Sequence, residues 1–103
     1  MQPCTVPFPP SMFRLTNMWL AKRDGIYVDV YAGSSPQTPK EGALMVIWTN
    51  PKVGRPEPKS GTFKTGRATG PLMLTRVDGN TIHFRFKGDT GTFDLGTLKY
   101  SFR

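Results

Sequence analysis

Proline and glycine punctuate this chain from end to end. Ten prolines and eleven glycines make up 21 of 103 residues, about a fifth against an average of about 12%. Proline removes a backbone donor and glycine raises the entropy cost of order, so neither is at home inside a helix. This composition disfavours long helices and favours many short strands joined by turns. It does not signal disorder, because 37% of the residues are hydrophobic and 12% aromatic. A chain of this length holds one small core, and therefore one domain.

The apolar residues alternate where the punctuation allows. Residues 1–11 carry Pro3, Pro7, Pro9 and Pro10 and read as an extended arm without a ladder of its own. Residues 12–22 fit two patterns. Ser11 can cap a helix with Met12, Leu15 and Trp19 on one face, or the stretch can lead as a strand into a hairpin from about Trp19 to Tyr31. The second pattern is favoured, because Asp24-Gly25 lies between two strand-like runs and both residues tolerate positive φ. The arm is accordingly taken as 1–18 and the β-domain as 19–103. Ile26, Val28 and Val30 are expected to face the core, with Tyr27, Asp29 and Tyr31 on the other face.

Gly33 to Gly42 reads as a loop, and Leu44–Thr49 as a central strand because both of its faces are apolar. The longest loop runs from Asn50 to Gly61, stiffened by Pro51, Pro56 and Pro58. A short strand is expected at Thr62–Thr65, then strands at Leu72–Val77, Thr81–Lys87, Thr92–Leu95 and Thr97–Phe102. Gly88 to Gly91 reads as a turn. For the turn at Asp78-Gly79-Asn80, a three-residue loop pairs Leu74 with Phe84 and Leu72 with Phe86, with Asn80 left-handed. That register puts the larger apolar residues together. The fold class is therefore all-β: a single small antiparallel barrel, roll or sandwich of six to eight short strands behind a proline-rich arm.

The counts also bear on chemistry. A lone cysteine, Cys4, makes no internal disulfide, and with one histidine, His83, a closed zinc site lacks ligands. No metal and no cofactor is expected. The longest apolar run, Ala43–Trp48, is far short of a membrane span. The first ten residues lack the pattern of a secretory signal, so the cytoplasm is the default expectation. No phosphate-loop, dinucleotide-binding, serine-elbow or metalloprotease motif is present. His83 lies on an outward strand position opposite Thr75, with no carboxylate that spacing places beside it. Asp24, Asp78 and Asp89 fall in turns, and Asp29 and Asp94 on outward strand positions. No catalytic residue is assigned, and a non-enzymatic domain is expected.

Charge is unevenly spread. The net charge is +7, yet residues 51–103 carry ten basic against four acidic residues, net +6. The candidate polyanion-binding residues are Lys52, Arg55, Lys59, Lys64, Arg67, Arg76, Arg85 and Lys87. Were their strands adjacent, they would form a basic face that attracts phosphate backbones. Base stacking needs exposed aromatics, and only Tyr27, Tyr31 and Phe63 are candidates, since Phe84, Phe86, Phe93 and Phe102 alternate inward. A second expectation is a protein-interaction or assembly module that forms a homo-oligomer through an edge strand at Thr97–Phe102 or through the arm.

Several segments together resemble an uncharacterised bacterial small β-domain family. They are Val28-Asp29-Val30-Tyr31-Ala32-Gly33, Gly42 to Thr49, Thr69-Gly70-Pro71-Leu72-Met73-Leu74, Val77-Asp78-Gly79-Asn80 and Gly91-Thr92-Phe93-Asp94-Leu95. The resemblance covers about three-quarters of the chain. It implies a bacterial origin and an all-β fold, and it brings no activity and no site residues with it.

Overall fold

The computed structural model describes residues 13–102. Nine antiparallel strands form two sheets there, in a globule of radius of gyration 12.9 Å. The first sheet holds β1 (Arg14–Arg23), β2 (Ile26–Ser34), β3 (Gly42–Asn50), β4 (Arg55–Pro56) and β5 (Gly61–Lys64). Its order is β1-β2-β3, and β3 carries both β4 and β5 on its far edge. The second sheet is a meander of β6 (Met73–Asp78), β7 (Thr81–Phe86), β8 (Asp89–Asp94) and β9 (Lys99–Phe102). The sheets do not hydrogen-bond into a closed barrel, so the architecture is a sandwich or roll. The described part of 12–22 resolves in favour of the strand: β1 starts at Arg14 and pairs with β2 throughout, with a bulge between Leu15 and Asn17. Ladder pairing thus begins inside the segment expected to be arm; residues 1–12 of that arm lie outside the described residues.

Turn chemistry sets the registers. Asp24 (φ 50°) and Gly25 (φ 80°) join β1 to β2 with Arg23 opposite Ile26. Two consecutive positive φ values match the right-handed twist of the flanking strands. Lys87 (φ 44°) and Gly88 (φ 80°) repeat the device between β7 and β8. The expected turn at Gly88–Gly91 is thereby shifted: Lys87 leaves the strand, and Asp89 enters the next one. The β6–β7 turn is also shorter than expected. Gly79, not Asn80, takes the positive φ (58°), and Asp78 pairs with Thr81. The Leu74–Phe84 pair is nevertheless as expected, because a bulge at Thr75 absorbs the extra residue. The shorter turn puts Arg76, rather than Thr75, opposite His83.

The main core lies between the sheets. Val28, Val30 and Ala32 from β2 and Leu44, Val46 and Trp48 from β3 meet Leu72, Leu74, Ile82, Phe84, Phe93 and Leu95. Aromatic rings fill the inner face of the second sheet, with Phe93 and Tyr100 centroids 4.8 Å apart and Phe84 and Phe102 6.1 Å apart. This commits the phenylalanines to packing, as their alternation predicts. A smaller cluster of Phe13, Met18, Tyr31 and Ala43 sits on the outer face of the first sheet. Tyr31, a candidate for exposure, is only 6% exposed there, and Phe63 packs against Phe93 at 5.3 Å. Tyr27 does stand exposed. β3 is interior and apolar on both faces, as expected of a central strand.

Three side chains tie the sheets together. At the β1 bulge, Asn17 donates from Nδ2 to the Leu74 carbonyl (3.0 Å) and accepts at Oδ1 from the Leu74 N–H (2.9 Å). It thus acts as a one-residue strand partner for β6. On the opposite side, the Tyr100 hydroxyl donates to the Phe63 carbonyl and accepts from the Leu44 N–H (3.1 Å). Arg23 donates to Asn80 Oδ1 (2.9 Å) and to the Gly79 carbonyl, clamping the β6–β7 turn onto the first hairpin.

Candidate functional site: the outer face of the second sheet

Side chains alternate across β6–β9, so the face away from the core is set by register. Three rows cross it. Met73, Arg85 and Thr90 form the first. Arg76, His83, Thr92 and Ser101 form the second, and Asp78, Thr81, Asp94 and Lys99 the third. The face is concave. Thr75, Arg76, His83, Thr90, Thr92 and Ser101 surround a depression of about 560 Å³, floored by Phe84, Gly91 and Phe102. Gly91 is required on the core side of that floor, where a Cβ would lie 2.7 Å from the Phe84 ring.

Hydroxyls and cations dominate the dish. Among the described residues, the hydroxyls of Thr75, Thr90, Thr92 and Ser101 have no hydrogen-bond partner within the chain. The carboxylates of the face are already engaged. Asp78 Oδ2 lies 3.0 Å from Arg76 Nε and 3.3 Å from His83 Nε2. Asp94 Oδ1 accepts from the backbone N–H groups of Gly96 (2.6 Å) and Thr97 (2.9 Å). Arg76 therefore keeps its terminal guanidinium nitrogens free. Among the described residues Arg85 makes one side-chain polar contact, a weak one to the Met73 sulfur at 3.3 Å.

His83 thus has a carboxylate beside it after all. Spacing could not show this, because Asp78 reads as a turn residue until the two-residue turn at Gly79-Asn80 places it in the ladder opposite Thr81, one row from His83. The His83–Asp78 pair in a concavity meets a geometric condition for acid–base chemistry. No side-chain hydroxyl lies within hydrogen-bonding distance of His83 among the described residues.

The eight basic residues singled out in the sequence are not one surface. Arg76 lines the dish, and Arg85 stands next to it on the same face, in a neighbouring groove with Met73 and Lys87. Arg67 and Lys87 form its rim at one end: the Arg67 guanidinium lies 4.1 Å from the Phe102 ring centroid, and Lys87 Nζ donates to the Ala68 carbonyl (3.0 Å). Lys64 is on β5, alongside Ala43. Lys52 and Lys59 lie in the loops and Arg55 on the short β4 between them, at the other end of the sandwich. Lys59 lies over the Trp48 ring at 4.7 Å and 3.7 Å from Glu57. The dish and its rim thus collect Arg67, Arg76, Arg85 and Lys87 and leave the rest apart. The residues that sequence reasoning missed are the four free hydroxyls, which carry no motif and become neighbours only through the β7–β8–β9 register.

Among the described residues no group of three or more histidine, cysteine, aspartate or glutamate side chains is placed to hold a metal ion. None of them forms a helix long and apolar enough to cross a membrane. No family model, curated protein or solved structure matches the chain.

Proposed function

We propose that the chain is a non-enzymatic binding domain that takes the phosphate backbone of a nucleic acid across the outer face of its second sheet. The observation that carries this reading is the concave dish in which arginine and free hydroxyl donors converge while both nearby carboxylates are occupied. Arginine, serine and threonine are the side chains that ordinarily hold phosphate oxygens. Arg76 supplies charge within the depression, Thr90, Thr92 and Ser101 supply neutral donors, and Arg85, beside Thr90 on the same face, extends the track toward Lys87 and Arg67.

Buried phenylalanines leave no aromatic platform on this face, so contact is with the backbone and not with the bases. The interaction is then sequence-tolerant and strongly salt-dependent, since each neutralised phosphate releases condensed counterions. Anisotropy with labelled mixed-sequence oligonucleotides tests this. Binding at low salt that weakens steeply with added salt is expected, and Arg76→Ala with Arg85→Ala should lower both affinity and salt slope. Absence of binding at low salt contradicts the reading. A sulfated polysaccharide bound in preference to the oligonucleotide would keep the dish and replace the ligand.

A further inference from the structure

β1 is the longest strand of the molecule and lies at the open edge of its sheet. Its hairpin register decides which backbone groups face outward. Arg23 and Ile26 flank a two-residue turn and are a hydrogen-bonded pair, so Ala21 with Val28 and Trp19 with Val30 are bonded pairs as well. Met18, Leu20 and Lys22 fall between them and point their N–H and C=O groups away from β2. None of these groups has a hydrogen-bond partner among the described residues. The same three residues put their side chains on the outer face of the sheet, and Leu20 is 43% exposed. β1 from Met18 to Arg23 contains no proline or bulge to blunt the edge, and Lys22 is its one outward-facing charge.

We propose that β1 is a self-association edge, pairing antiparallel with β1 of a second copy about a two-fold axis at Leu20. The register is chosen by counting. With Leu20 opposite Leu20 of the second copy, Met18 lies opposite Lys22 and Lys22 opposite Met18. All three outward-facing residues of each copy then become bonded pairs, and every free main-chain group on both edges is satisfied. Shifting the axis by one residue in either direction leaves an outward-facing residue without a matching one. Charge agrees with the same register: each Lys22 meets a methionine and each Arg23 an Asn17, so no like charges face each other. The exposed Leu20 side chains cover one another, with Asp29 beside each Leu20 on β2 and Ile47 beyond it on the same face. Arg23 is already bonded to Asn80 and Gly79, which keeps its cation off the new interface. The outcome is one continuous sheet through both copies, with the two dishes left open.

Self-association and polyanion binding respond to salt in opposite directions. Two copies of charge +7 repel, so added salt strengthens the dimer while it weakens the nucleic-acid complex. Sedimentation of the full chain across concentration and salt is the test. A species of twice 11.5 kDa is expected at high concentration, favoured by salt. Leu20→Lys places like charges at the axis and should shift the equilibrium toward monomer by about tenfold or more. Leu20→Pro removes an outward N–H and should do the same. Circular dichroism reports whether each variant is folded, and Leu20→Lys alters a half-exposed side chain without touching the β1–β2 ladder. For the wild type, amide exchange at Met18, Leu20 and Lys22 should slow as concentration rises. A chain that stays monomeric at every concentration and salt overturns the proposal. So does a dimer that a folded Leu20→Lys leaves intact, or amides that exchange at the same rate at all concentrations.

Discussion

Asn17 shows how much one polar side chain can decide. Its amide satisfies both main-chain groups of Leu74, a residue buried in the core, at the point where β1 bulges toward β6. Asn17→Ala leaves that donor and acceptor without their partner, and a buried unmade bond costs about 1–3 kcal/mol. Urea unfolding should show a loss of that size with an unchanged dependence on denaturant. Tyr100 holds the opposite seam. Burial pushes its hydroxyl well above the ordinary tyrosine range, with the Glu41 charge adding to the effect. The folded chain therefore keeps the phenolic proton after the unfolded chain has lost it. Stability from this group is full below about pH 10, the ordinary tyrosine value, and falls as pH rises above it. Unfolding free energy measured from pH 8 to 11 should decline, and Tyr100→Phe should flatten the decline. Tyr31 is shifted in the same direction, so the slope shrinks in that variant and does not vanish.

Strands and turns were the legible part of the sequence, and the reasons are local. Asp24-Gly25 fixes a hairpin because two adjacent residues accept positive φ, and Leu44 to Thr49 reads as central because it is apolar on both faces. The turn at Gly79-Asn80 was misread by one residue, since hydrophobic pairing alone does not distinguish a longer loop from a bulge at Thr75. The full length of β1 is not legible because Leu15 and Trp19 also fall on one face of a helix, so the sequence alone starts the hairpin only at about Trp19. The dish was not legible at all. It depends on which residues share a row across four strands, and rows follow from registers that turns and bulges set together. The loops repay attention at this scale too. Gly42 opens β3 where the 65–72 connection passes closest: a Cβ there would lie 2.6 Å from the Gly70 carbonyl and 2.7 Å from the Leu72 side chain. The Gly42 N–H also accepts no substitute geometry, being bonded to Thr69 Oγ1 at 2.9 Å. Gly42→Ala should therefore cost about 1–3 kcal/mol, the range seen for overpacking a tight site. Thermal unfolding of that variant checks it, with Gly61→Ala, where no atom lies within 4 Å of the added carbon, as the mild control.

For the whole molecule, the sandwich distributes charge in a way that the sequence conceals. Six of the seven net positive charges follow Asn50, yet the fold sends Lys52, Arg55 and Lys59 to one end and gathers Arg67, Arg76, Arg85 and Lys87 around the second sheet. Net charge then steers any polyanion toward the molecule at long range, while the dish supplies the short-range donors. In the proposed complex these donors, and not the total charge, make the contact. The most direct measurement compares oligonucleotide affinity at low salt for Arg76→Ala/Arg85→Ala with that for Lys52→Ala/Arg55→Ala, two variants of equal net charge. The dish variant should lose most of the affinity and show a shallower salt slope, with the loop variant close to wild type. Equal losses in the two variants, or a larger loss in the loop variant, would contradict the account.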